Sequence, residues 1–300
     1  MRLLFRSLFR ALFRALFRGL SALPLRLLHA IGSMLGGLGY RLSAKYRTRF
    51  DAHAQAAAIS AEVQREAIAQ AGRMVAELPR LWLRPPGQPM RPAPQWQGTE
   101  WVDKALDAGR GIVAMTPHLG AFEVIAQAYA ERFGQRQPMT ALYRPARQDW
   151  LRELEETARR RPGLVTAPAT LAGVRQTIRA LRQGQTVGLL PDQVPPEGMG
   201  VWAPFFGQPA YTMTLASRLA LATGATLLPM LCERLPGAAG YRIRVFEMPE
   251  PLPAAAAFNG DDLAYQTECA AVINRAMEFL IRQCPGQYLW GYERYKAPRK

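Results

Sequence analysis

Residues that ligate metals or form disulfides are scarce in this 300-residue chain, which has three cysteines (Cys232, Cys269, Cys284) and three histidines (His29, His53, His118). No two cysteines stand in C-x-x-C spacing, so neither a metal cluster nor a secreted disulfide framework is expected. Acidic residues are missing altogether before Asp51, a stretch that carries ten arginines and lysines. Those ten make up most of the net charge of +15, so the excess belongs to the N-terminus more than to the body. A hydrophobic fraction of 49% excludes wholesale disorder, and the length suffices for a real core.

The N-terminus repeats with a step of four. Leu4, Leu8, Leu12 and Leu16 precede Phe5, Phe9, Phe13 and Phe17, which precede Arg6, Arg10, Arg14 and Arg18. On a helix of 3.6 residues per turn these rows spiral side by side, giving one cationic edge and one apolar, aromatic edge. That pattern suits a helix lying in an anionic lipid interface, with the arginine heads at phosphate level. A nucleic-acid partner is disfavoured, because the arginines alternate with bulky Leu and Phe. The apolar run over residues 20–42 is broken by Pro24, Arg26, His29 and four glycines. It reads as a monotopic or re-entrant anchor rather than a single span, and no A-x-A site marks a cleaved signal peptide. The positive flank places the following domain on the cytoplasmic face. A helix docked on its own domain is the plainer alternative.

After a helix over residues 51–78, ended by Pro79, and a proline-rich linker over residues 84–97, the chain alternates. Helices are expected at 101–108, 119–133, 150–160, 170–183, 211–223 and 261–283. Strands are expected at 111–116, 139–143, 164–166, 186–190, 225–231 and 241–247. This order predicts an α/β fold with a central mixed sheet flanked by helices, plus an N-terminal membrane-associated helix.

His118 follows the first apolar strand, and Glu123 stands five residues on, in the first turns of a helix. With the histidine on the loop, the carboxylate can fold back to the imidazole and fix its tautomer, leaving the other nitrogen as a general base. A hydroxyl needs such a base to become a nucleophile at neutral pH. Taken alone, the spacing is also that of a histidine capping a strand end beside a solvated glutamate.

An ordered set of motifs adds to it: His118-x4-Glu123, Tyr143-Arg144-Pro145, Leu190-Pro191-Asp192-Gln193, Phe205-Phe206-Gly207 with Thr212, and Gln287-Tyr288-Leu289-Trp290 with Arg294 and Lys296. Over residues 20–296 the chain resembles the late acyltransferases of lipid A biosynthesis, within the lysophospholipid acyltransferase superfamily. The resemblance implies a glycerolipid acyltransferase-like fold. With the charge and proline patterns above, the expected division is an anchor at residues 1–42, a helical segment and linker at 43–98, and an acyltransferase domain at 99–300. It implies a bacterial inner-membrane enzyme, acting on the cytoplasmic face without metal or organic cofactor. Such an enzyme moves a fatty acyl chain from acyl carrier protein to a hydroxyl of a Kdo-bearing lipid A precursor. His118 and Glu123 would form its catalytic dyad.

Substrate-binding roles are expected for Arg144, Asp192, Gln193 and Phe206, the last with Phe205 and Trp202 as walls of an acyl channel. The resemblance also implies a substrate-binding arginine after the next helix, at Arg159, Arg160 or Arg161, and Arg160 is expected to fill it. Two alternatives stay open: a glycerolipid or other lysolipid acyltransferase using acyl-CoA or acyl-ACP, and a non-catalytic membrane-bound adaptor.

Overall fold

The computed structural model describes residues 2–146 and 148–299, without the side chains of residues 2–10, 149 and 153. Arg2, Arg6 and Arg10, with Phe5 and Phe9, therefore have no described side chains. Four helices come first: α1 (Arg2–Ser21), α2 (Leu25–Leu42), α3 (Ala44–Ala56) and α4 (Ala61–Trp82). The single helix expected over residues 51–78 is thus two. Ala58 takes φ +54° between them, and the Ser60 side chain caps α4 by accepting from Val63 N–H. Pro79 lies inside α4 and does not end it.

Two of the four glycines that weakened the reading of a membrane span, Gly32 and Gly36, have a packing role. At the α2–α4 crossing, a Cβ on Gly72 would stand 1.9 Å from the Gly32 carbonyl oxygen, and one on Gly36 would stand 2.2 Å from that of Ile68. Only bare backbone permits so close an approach. Leu25, Leu28 and His29 face inward, whereas Met34, Leu35, Leu38 and Leu42 are exposed. In α1 the rings of Phe13 and Phe17 turn toward the body, against Trp150 and Trp82, and Leu12 and Leu16 face out. Phe13 and Phe17 are therefore not part of the outward apolar edge. Among the described residues, no helix is long and apolar enough to cross a membrane.

The body is a seven-stranded mixed sheet. Its strands are β1 (Gln95–Gln97), β2 (Ile112–Met115), β3 (Met139–Tyr143), β4 (Leu164–Pro168), β5 (Thr186–Leu189), β8 (Thr226–Arg234) and β9 (Tyr241–Val245), in the order β1-β9-β8-β2-β5-β3-β4. Only β8 and β9 pair antiparallel. The helices are α5 (Thr99–Asp107), α6 (Phe122–Phe133), α7 (Asp149–Arg159), α8 (Leu171–Arg182), α9 (Leu215–Thr223) and α10 (Asp262–Gln283). Alternation along β2 sends Ile112 and Ala114 into one core with α6, and Val113 and Met115 into another with α9 and α10.

Residues 211–213 are strand instead of helix. A separate hairpin, β6 (Gly200–Phe205) and β7 (Gln208–Met213), turns at Phe206-Gly207, where both residues have positive φ (46° and 72°). The left-handed Phe206 is held by its own N–H, donated to Glu278 Oε1 at 2.7 Å, and by the Arg282 guanidinium 5.1 Å over its ring.

Candidate active site

The site stands at the carboxyl ends of β2 and β5, where open α/β sheets bind ligands. These strands run parallel with Met115 opposite Leu189, and three residues beyond each lie His118 and Asp192. The register therefore delivers the two side chains to one another across 74 residues of sequence. Asp192 Oδ1 accepts from His118 Nδ1 at 2.7 Å, and Oδ2 accepts from the His118 backbone N–H at 2.9 Å. Only 2% of Asp192 is exposed. Burial pushes its pKa up, but the His118 charge, the two His118 hydrogen bonds and Arg294 outweigh that and hold it below the ordinary carboxylate value. In the neutral imidazole, an ionised aspartate there holds the proton on Nδ1, so Nε2 carries the lone pair. That lone pair accepts from Gln193 Nε2 at 3.0 Å. The Phe122 ring meets the imidazole edge-on at 5.0 Å.

The loop under His118 is fixed from below. Leu289 N–H donates to His118 O, Gly120 N–H to Gln287 O and Ala121 N–H to Cys232 O. Gly120 has φ +57°, and a Cβ there would lie 2.0 Å from the Cys232 carbonyl oxygen, so no other residue fits. Arg234 donates one Nη2 to both the Gly120 carbonyl (2.8 Å) and Glu77 Oε1 (2.6 Å), in a fully buried ion pair. His29 and Tyr241 also bond to Glu77, at 3.2 Å each. The Gln287 amide brackets the Arg234 backbone, which explains the closing motif structurally. Arg294 likewise serves the fold, donating to Tyr211 O, Thr212 Oγ1 and Asn274 Oδ1.

Glu123 is elsewhere than the spacing suggested. The helix α6 begins only at Phe122, three residues later than expected. The Glu123 carboxylate accepts from Arg159 Nη2 (3.1 Å) and Trp82 Nε1 (3.4 Å), and among the described residues it makes no hydrogen bond to His118. Arg159 is the arginine of the Arg159–Arg161 run that reaches the site. It stacks against Tyr143 at 5.2 Å and lies 3.8 Å from Glu155, and its buried Nη1 has no hydrogen-bond partner among the described residues. Arg160, the sequence choice, is exposed just beyond α7, and Arg161 is spent on the carbonyls of Leu81, Arg84 and Ala158. The i,i+4 step from Glu155 to Arg159 was the available sequence signal. Trp82, far upstream, offered none.

Below these groups opens a cavity of about 370 Å³. His118, Glu123, Arg144, Arg159 and Gln193 stand at its polar end, and Met115, Met139, Ile125, Leu189 and Met230 line the apolar remainder. That is the size and character of a small-molecule or acyl-chain site. Arg144 is exposed on its rim. Phe206, Phe205 and Trp202 do not line it: the first two are buried in the other core, and Trp202 lies on the outer face of the hairpin, half exposed. Among the described residues, no group of three or more His, Cys, Asp or Glu side chains is placed to hold a metal ion.

A family model described as bacterial lipid A biosynthesis acyltransferase matches residues 4–297. The chain belongs to that family. Related members include the lipid A biosynthesis palmitoleoyltransferase of Escherichia coli (26% identical over 205 residues) and the lauroyltransferase of the same organism (28% over 201 residues). Each match covers 67% of this chain and 61% of the relative. A lipid A biosynthesis acyltransferase of Haemophilus influenzae is 26% identical over 196 residues, covering 64% of this chain and 56% of that protein. The chain thus spans about three-fifths of the length of these lipid A acyltransferases.

Proposed function

We propose that the protein transfers a fatty acyl chain from acyl carrier protein to a hydroxyl of a lipid A precursor, with His118 as general base. The reading rests chiefly on the buried Asp192–His118 pair at the mouth of an apolar cavity, in a chain of this family. The acyl chain enters the cavity and its thioester carbonyl rests beside the imidazole. The acceptor hydroxyl takes the place of the Gln193 amide on Nε2, gives up its proton there and attacks the thioester carbon. Asp192 holds the tautomer and stabilises the imidazolium that forms. The carbonyl oxygen gains charge in that step, and the Arg159 guanidinium, which lines the cavity, or amides in the first turn of α6, stabilise it. Collapse expels the thiolate, which takes the proton from His118. No serine or cysteine adjoins His118, so transfer is direct.

In this reading Glu123 acts through Arg159 and not through the imidazole. Together with Glu155 on its other side, it keeps the guanidinium at the mouth of the cavity.

The outward apolar side chains of α1 and α2, with Arg14, Arg18 and Arg41 beside them, suit a monotopic seat on an anionic membrane. Trp82 lies 6.1 Å from Phe17 of α1 and also bonds to Glu123, so the membrane helix abuts the mouth through which a lipid acceptor would come. A cytoplasmic-facing inner-membrane location follows from the basic N-terminus.

The test is acyl transfer by the purified chain in detergent micelles, from lauroyl or palmitoleoyl acyl carrier protein to a Kdo-bearing lipid A precursor, read by mass spectrometry. One added acyl group, lost in His118→Ala with folding intact, is the expected result. Transfer to lysophospholipid instead would move the acceptor to glycerolipids. Near-normal turnover by the His118 variant would overturn the mechanism.

A further inference from the structure

Three of the smallest side chains in the sheet stand in one row across its middle. Ala114 of β2 pairs with Gly188 of β5, and Gly188 pairs with Ala141 of β3. Residues opposite one another in register share a face, so these three form a trough in the sheet surface, and all of them line the cavity. Two residues nearer the amino ends, about 6.6 Å along the strands, the same face carries Ile112, Thr186 and Met139. That row is solid. Ile112 and Thr186 are fully buried, and Thr186 Oγ1 is bonded to Tyr129 Oη at 2.7 Å. Met139 both closes the row and reaches over the trough: its Sδ lies 3.3 Å from the point where a Cβ on Gly188 would stand. Toward the amino ends the cavity closes, from the exposed Arg144 and Met199 at its rim to Met139, which is essentially inaccessible.

We infer that Ala114, Gly188 and Ala141 form the subsite for the methyl end of the acyl chain, with Met139 as its stop, so that this row sets the chain length transferred. The inference rests on the acyl-transfer reading above. Until the chain reaches the floor, each added methylene leaves water for apolar surface and favours binding about fourfold. Beyond the floor, forcing atoms into a close-packed core reverses the preference by about 5- to 140-fold. Gly188 matters most, since any side chain there projects into the trough. Methionine is a flexible gap-filler, so shortening Met139 deepens the subsite instead of rearranging it.

The experiment compares the full chain with Gly188→Ala, Gly188→Val and Met139→Ala, using decanoyl, lauroyl, myristoyl and palmitoyl thioesters of acyl carrier protein and one fixed acceptor. The readout is the ratio of kcat/KM between donors, which general structural damage lowers together and leaves unchanged. Gly188→Val should move the optimum to a shorter chain by about tenfold or more in that ratio. Gly188→Ala should move it the same way by less, and Met139→Ala should move it toward a longer chain. The alanine variants keep the test decisive if the valine variant fails to fold. An unchanged donor ranking in folded variants of an active enzyme would overturn the subsite alone. No transfer of any of the four chains by the unaltered protein would overturn the acyl-transfer reading, and the subsite with it.

Discussion

Replacing Asp192 by Asn keeps the shape of the site and removes only the charge and one acceptor. The two contacts it disturbs are those to the His118 backbone N–H at 2.9 Å and to Nδ1 at 2.7 Å. An amide has one acceptor oxygen, so it cannot accept from both. If that oxygen serves the backbone N–H, the NH2 group faces Nδ1, which must then be the unprotonated nitrogen. The proton moves to Nε2, and the base is gone from the side that meets substrate. If the amide is turned over, its NH2 opposes a buried backbone N–H, an unsatisfied arrangement costing about 1–3 kcal/mol. The first orientation wins.

A tautomer locked the wrong way costs about 10⁴ in kcat in the serine-protease triad, so a loss of about 10³–10⁴ is expected here, or roughly 4–5.5 kcal/mol of transition-state stabilisation. KM should change by no more than a few-fold, because Asp192 is buried behind the imidazole. The assay is initial-rate acyl transfer at saturating donor from about pH 6 to 9, with a thermal melt of each protein as the folding control. A tautomer defect persists at every pH in that range. The Glu123→Gln variant is the necessary companion, since it should weaken Arg159 and raise KM while leaving a working base. If Asp192→Asn stays within tenfold of the parent and Glu123→Gln falls by about a thousandfold, Glu123 is the orienting carboxylate and the reasoning fails.

Gln193→Glu places a second carboxylate against Nε2, now 3.0 Å from the Gln193 amide, and favours the imidazolium. The acidic limb of the pH–rate profile should then move upward by about one to three units, and an unmoved limb would remove Gln193 from the base's lone pair. Glu77→Ala leaves Arg234 buried without its counter-charge and should cost about 3–5 kcal/mol in denaturant unfolding. Burial pushes the pKa of Glu77 up, but Arg234 and His29 more than offset it, and Asp192 is likewise held low. Both carboxylates therefore contribute stability that is full above their unfolded values near 4 and lost as pH falls through the lower native ones, so the melting temperature should drop below about pH 4. Leu35→Glu combined with Leu38→Glu alters side chains about half exposed on α2 and should weaken binding to anionic vesicles by roughly tenfold or more, with the melting temperature unchanged. Co-sedimentation measures this directly.

Local pattern and composition determined much of this protein. The apolar runs at β2, β3 and β5, the strict alternation of β9 and the Asp261-capped α10 were legible because each is a periodicity, or a cap, written in consecutive residues. The placement of His118 just beyond a strand was legible for the same reason, as was the crowding of positive charge before Asp51. The β6–β7 hairpin was not, because its turn sets a phenylalanine at positive φ, and that is stabilised only by Glu278 and Arg282 from α10. Nor could the sequence choose between Glu123 and Asp192. Five residues separate His118 from one and 74 from the other, and nearness along the chain favoured the first. What brings Asp192 to the imidazole is the parallel pairing of β2 with β5, which sets Met115 opposite Leu189. The same register aligns Ala114, Gly188 and Ala141 into one row, and strand register is a property of the assembled sheet, held by backbone hydrogen bonds between segments distant in sequence.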